Sequence, residues 1–133
     1  MLLVFLPYGA AGVLAVRLAL GVLFIVHGFK KMKDLSGTAA WFGSVGFRPG
    51  RFWATIVAIL ESVAGIAFIL GIGTQVFAAL LAVQFVTIIV WRLRTHAPFV
   101  GGWELDLLVL AMLIALILLG AGAYSLDRMF LIG

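Results

Sequence analysis

No cysteine occurs in the sequence, so these residues cannot supply disulfides, thiolate metal sites, iron–sulfur ligands or dithiol redox chemistry. Charge is scarce as well: 11% of residues are Asp, Glu, Lys or Arg, against roughly 25% in an ordinary soluble domain. The two histidines, His27 and His96, have no third ligand spaced to join them, so neither a metal site nor axial haem ligation is expected. Three prolines in 133 residues leave long stretches of chain free to stay helical. What fills the sequence instead is apolar: 65% of it is hydrophobic, against roughly 45–50% in soluble domains, which excludes a water-soluble globule.

A membrane-spanning helix takes about 20 apolar residues, so four would use about 80 and leave no room for a separate soluble domain. Hydropathy places them at about 7–29, 52–70, 74–91 and 105–123. The expected fold is all-α: one membrane domain over 1–133, an antiparallel four-helix transmembrane bundle with a short interfacial segment between helices 1 and 2. That segment carries Trp41 and Phe42, whose rings favour headgroup depth, and Ser36 is its expected cap. The opening residues before Pro7 have no basic stretch of the signal-peptide kind, so the first span is expected to be retained.

The net charge of +4 does not indicate a nucleic-acid partner, because the basic residues sit in loops beside apolar spans. Lys30, Lys31, Lys33, Arg48, Arg51, Arg92 and Arg94 fall at one set of span ends and Arg128 at the other. The positive-inside rule then puts loops 30–51 and 92–104 in the cytoplasm and both termini outside, as for a multi-pass protein of the cell (inner) membrane. All four tryptophans, Trp41, Trp53, Trp91 and Trp103, lie on that same side and read as an interfacial anchor belt.

Ionisable groups at membrane depth cost about 2.5–3.5 kcal/mol each when unpaired, so Arg17 in the first span and Glu61 in the second call for partners. Counted from the loop-side ends at Phe29 and Phe52, Arg17 lies about 18 Å deep and Glu61 about 14 Å, which on antiparallel neighbours predicts an ion pair between them. Gln84 in the third span reaches a comparable depth and is expected in the same network, with Thr87 as a further candidate. His27 shares a height with Glu104 and Asp106, which predicts a second, proton-exchanging cluster. Two uses of such groups stand side by side: internal glue that fixes helix register, or a site for a polar head such as a quinone carbonyl or a lipid headgroup. As a catalytic set they are Glu61 for proton transfer, Arg17 for orienting an oxygen and His27 for exchange with the cytoplasmic side; as a binding set, Arg17, Glu61 and Gln84. Small residues at Ala54, Ala58, Ser62 and Gly65, at Gly21 and Gly28, and at Ala78 and Ala82 predict where helices approach closely.

These landmarks also resemble a known family. Arg17-Leu18 followed by Gly21, Phe24, Gly28 and Lys31, then Gly46 with Pro49, Glu61 with Gly65, Leu70-Gly71 with Thr74, Gly102 with Glu104, and Gly120-Ala121-Gly122 leading to Tyr124-Ser125-Leu126-Asp127 are similar, in order and spacing, to the DoxX family. Gln75 and Ala123 depart from it, standing where members often carry a basic residue. The resemblance implies a four-helix membrane protein, a subunit linked to redox enzymes with quinone as acceptor and electrons supplied by a partner chain. The alternative is a non-catalytic accessory subunit packed against a larger membrane complex. Expected contacts are therefore membrane lipid and either protein partners in such a complex or further copies of the chain.

Overall fold

The computed structural model describes residues 7–131; the stretch before Pro7, on which the retained-leader expectation rests in part, lies outside them. Six α-helices follow in order among the described residues: α1 Gly9–Lys33, α2 Leu35–Ser44, α3 Gly50–Leu70, α4 Thr74–Arg94, α5 Glu104–Leu119 and α6 Leu126–Leu131. Four segments are long and apolar enough to cross a membrane: α1, α3, α4, and α5 together with the turn before it, Phe99–Leu119. The fold is an all-α four-helix membrane bundle. Gly71–Gly73 and the tail after Leu119 share one end, here the tail end; α2 and the Phe99–Trp103 turn share the other, the loop end.

Three of the spans outrun their apolar cores on the loop side. α1 continues past Phe29 through Lys30, Lys31 and Lys33, α4 continues past Trp91 through Arg92 and Arg94, and α3 begins at Gly50 instead of Phe52. Cations in a last helical turn face the negative end of the helix dipole and can raise their heads towards water, so helix persists where hydropathy falls. The fourth span ends earlier than expected, at Leu119 and not near 123, because Gly120, with φ 75° and ψ −164°, turns the chain out of the helix. Between α1 and α3, the expected short segment is the helix α2, but its cap is Asp34, whose carboxylate accepts from Gly37 N–H at 3.0 Å, and not Ser36. Trp41 of α2 meets the edge of Trp91 of α4 at 5.9 Å, joining the aromatic belt across the loop end.

α3 is the spine. In its apolar window 44% of residues are buried, against 22% or less in the other three spans. Ala54, Ala58, Ser62 and Gly65 lie on its buried face, as the small-residue spacing predicts, and Ser62 and Gly65 meet Gly28 and Gly21 of α1. A Cβ on Gly65 would come within 2.7 Å of Ile25 N and 2.8 Å of Gly21 O, so the two backbones run in direct contact there. Between the ends, Phe24, edge to face with Phe85 and tilted against Phe68, packs with Leu20, Leu81 and Leu113 into an apolar layer. That layer separates two polar clusters, one at each end of the bundle.

Candidate functional site

At the tail end, Arg17 is 1% exposed and every hydrogen bond it donates goes to a backbone carbonyl. Nε donates to Phe68 O at 2.9 Å, Nη2 to Ile69 O at 3.4 Å, and Nη1 to Ala121 O and Tyr124 O at 2.6 and 2.8 Å. Phe68 and Ile69 belong to the last turn of α3, whose carbonyls have no partner within the helix, so the guanidinium caps α3 and ties the tail to it. The expected Arg17–Glu61 pair does not form. The reason is register: Gly28 of α1 lies against Glu61 and Ser62, and Gly21 against Gly65 and Ile69, which carries Arg17 past Glu61 to the far end of α3.

The tail itself is locked by Asp127. Its carboxylate accepts from Gly73 N–H at 2.8 Å and Thr74 N–H at 3.1 Å, capping α4, while its own N–H donates to Gly71 O at 2.8 Å. Gly71 is left-handed, φ 72°, and a side chain there would strike Ser125 and the guanidinium of Arg17, so only glycine fits. Gln75, one of the two departures from the family pattern, donates from Nε2 to Ile117 O at 2.7 Å and so caps the end of α5 instead of facing an anion. Replacing Asp127 with alanine is expected to cost about 1–2 kcal/mol through the lost cap and to open the segment from 120 to 131 to protease. Limited proteolysis beside a melting curve in detergent checks both.

At the loop end, Glu61 is 3% exposed and is held from two sides. Lys31 Nζ of α1 donates to Oε2 at 2.6 Å, and Gln84 Nε2 of α4 donates to Oε1 at 2.7 Å. Gln84 therefore joins Glu61, as the depth estimate predicts, while the cation is Lys31, a residue counted on the sequence as a loop charge. Its long stem lets the ammonium reach the carboxylate, and its side chain stays 24% exposed. Ser62 donates to Ala58 O at 2.8 Å, and Gln84 Oε1 is buried with no hydrogen-bond partner among the described residues. Thr87 is exposed and bonds back to Val83 O, outside the cluster.

The second expected cluster is not assembled. His27 is exposed on α1, Asp106 accepts from Arg92 Nε at 2.8 Å, and Glu104 accepts from Gly101 N–H at 3.0 Å. Both acids are spent on joining α4 to α5 and on holding the turn before α5. Among the described residues no three of His, Asp and Glu converge as a metal site. Two shallow apolar clefts, of about 350 Å³ beside Phe99 and Leu108 and about 310 Å³ beside Gly12 and Leu116, lie away from Glu61. The Lys31–Glu61–Gln84 cluster, contributed by three spans, is the candidate site.

Comparison with known proteins places this arrangement. The family model for DoxX matches residues 12–94, the stretch that contains Arg17, Lys31, Glu61 and Gln84. The chain belongs to the DoxX family. It is 34% identical over 116 residues to a Bacillus subtilis protein named "Putative oxidoreductase CatD", covering 87% of this chain and 84% of that one. It is 31% identical over 134 residues to the "Uncharacterized membrane protein Rv3486" of Mycobacterium tuberculosis, covering 90% and 82%. With the "Inner membrane protein YqjF" of Escherichia coli it shares 30% identity over 123 residues, covering 89% and 91%. No solved structure matches the chain. Within this DoxX fold the tail that Arg17 holds, from Ala121 onward, lies beyond the matched stretch.

Proposed function

We propose that this DoxX protein is an integral membrane subunit of a redox complex, in which Lys31, Glu61 and Gln84 receive the polar head of a quinone-class molecule and a partner chain supplies the electrons. The observation that carries the reading is a buried carboxylate within the apolar body of the bundle, bonded to the ammonium of a partly exposed side chain and to an amide whose oxygen is unused. A pair of this kind stabilises a fold little more than apolar packing would, so its placement is better explained by a ligand. The role the sequence suggested for Arg17 passes to Lys31: its free N–H groups orient an oxygen of the head, and Glu61 exchanges protons with it. The relative named as an oxidoreductase agrees with this class of chemistry. The concentration of Lys and Arg at the loop end supports placing that end in the cytoplasm and the termini outside.

A second reading keeps the protein in the complex but without a ligand, as an accessory subunit. It is favoured by Arg17, whose hydrogen bonds all serve helix ends and the tail. Gentle purification in native lipid separates the two. On the first reading a quinone co-purifies in near-stoichiometric amount, and Glu61→Gln, with the bundle intact, lowers its retention about tenfold or more through loss of a charged hydrogen-bonding partner. Unchanged quinone content in that variant, or co-purifying enzyme subunits whose turnover ignores it, supports the accessory role instead.

A further inference from the structure

The Lys31–Glu61–Gln84 cluster offers more open acceptors than inward-facing donors. A carboxylate has room for about four hydrogen bonds, and among the described residues Glu61 receives one at each oxygen, from Lys31 and Gln84. Gln84 Oε1 receives none. The hydroxyl of Ser62, the next residue along α3, is committed to Ala58 O at 2.8 Å, with the Met32 thioether 3.3 Å away. The remaining donors are the two further N–H groups of the Lys31 ammonium, whose side chain is partly exposed. At this depth an acceptor without a donor is expensive, because hydrocarbon supplies none.

A ligand that completes this cluster must donate to Glu61 or Gln84 while accepting from Lys31. A hydroxyl does both with one oxygen. A carbonyl accepts from Lys31 but turns its remaining lone pairs towards the carboxylate, leaving the open acceptors as they were. Resting on the quinone-class reading above, we propose that the site selects the hydroxyl form of the head: the quinol, or a phenol of like shape, over the oxidised quinone. The amide of Gln84, half-buried as a whole, adapts by turning about its last bond to present either end.

Three probes with one short isoprenoid tail test this on the purified full chain in nanodiscs: a hydroquinone, its dimethyl ether and the corresponding quinone. The ether keeps the reduced ring and its oxygens but loses the O–H donors. The hydroquinone is expected to bind about tenfold or more tighter than either of the others, the worth of a hydrogen bond to a charged acceptor. For a two-electron couple, tenfold tighter binding of the reduced form raises the midpoint potential by about 30 mV. Glu61→Gln, whose amide donates as well as accepts, is expected to bind all three more weakly and within about threefold of one another. Should that variant fail to assemble, the wild-type ratio of hydroquinone to ether decides alone. An ether or quinone that binds as tightly as the hydroquinone overturns the selection while leaving a head-group site standing. Absence of binding by all three overturns the site as well.

Discussion

Arg17→Leu is expected to lower the stability of the bundle by about 3–5 kcal/mol, the cost of stripping a buried, hydrogen-bonded charge from its partners. Leucine fills part of the space but leaves Phe68 O, Ala121 O and Tyr124 O without the donor each now has at 2.6–2.9 Å. The loss falls on the C-terminal end of α3 and on the tail together, so both should loosen at once. Arg17→Lys is the informative companion. It keeps the charge but offers one compact ammonium where a planar fork now reaches carbonyls from residues 68, 69, 121 and 124, so it should recover less than half of the loss. Reversible unfolding in mixed micelles measures the difference, and limited proteolysis of the tail reports where it falls. A lysine variant as stable as wild type would show that charge alone, without the fork, holds the tail.

The contrast with Glu61 explains what could and could not be seen in the sequence. The four spans were legible because apolar runs of about 20 residues have one physical solution in a bilayer. The pairing of Glu61 with Gln84 was legible too, since α3 and α4 are joined by a tight turn at Gly71–Gly73 and counting from it gives depth directly. Counting failed between α1 and α3, because a connection containing a whole helix, α2, does not hold their ends level. Taking Phe29 and Phe52 as a common plane was the error: Gly28 lies against Glu61 and Ser62, so α1 ends well along α3 and not beside its first residues, and the false plane slid Arg17 onto Glu61 and left Lys31 outside. The true register is set where glycine lets the backbones touch, a fact about surfaces that hydropathy does not carry. The partners of Arg17 were beyond reach for a different reason: backbone carbonyls occur at every residue, so nothing in their side chains marks Phe68, Ala121 or Tyr124 as acceptors.

The same crossing yields the other large effect. Gly65→Ala is expected to destabilise the bundle by about 1–3 kcal/mol or more, even though alanine favours a helix over glycine by about 1 kcal/mol. The added methyl meets Ile25 N at 2.7 Å and Gly21 O at 2.8 Å, and backbone atoms cannot swing aside as a side chain can, so α1 and α3 must separate. Gly28→Ala presses on the same joint from the other helix, with Ser62 N at 2.5 Å and Glu61 C at 3.0 Å from the new carbon. Because one separation relieves both clashes, the double variant should lose clearly less than the sum of the two single losses. Gly12→Ala is the control: nothing lies within 4 Å of its added carbon, so helix propensity alone should leave it neutral or slightly stabilised. Each clash lies one turn from a member of the candidate site, Gly28 from Lys31 and Gly65 from Glu61, so separating the helices also lengthens the 2.6 Å Lys31–Glu61 contact. On the quinol reading proposed above, both glycine variants should therefore lose bound quinol along with stability, while Gly12→Ala keeps it. Gly65→Ala behaving like Gly12→Ala in both assays would mean that the crossing is looser than the contact of backbones implies.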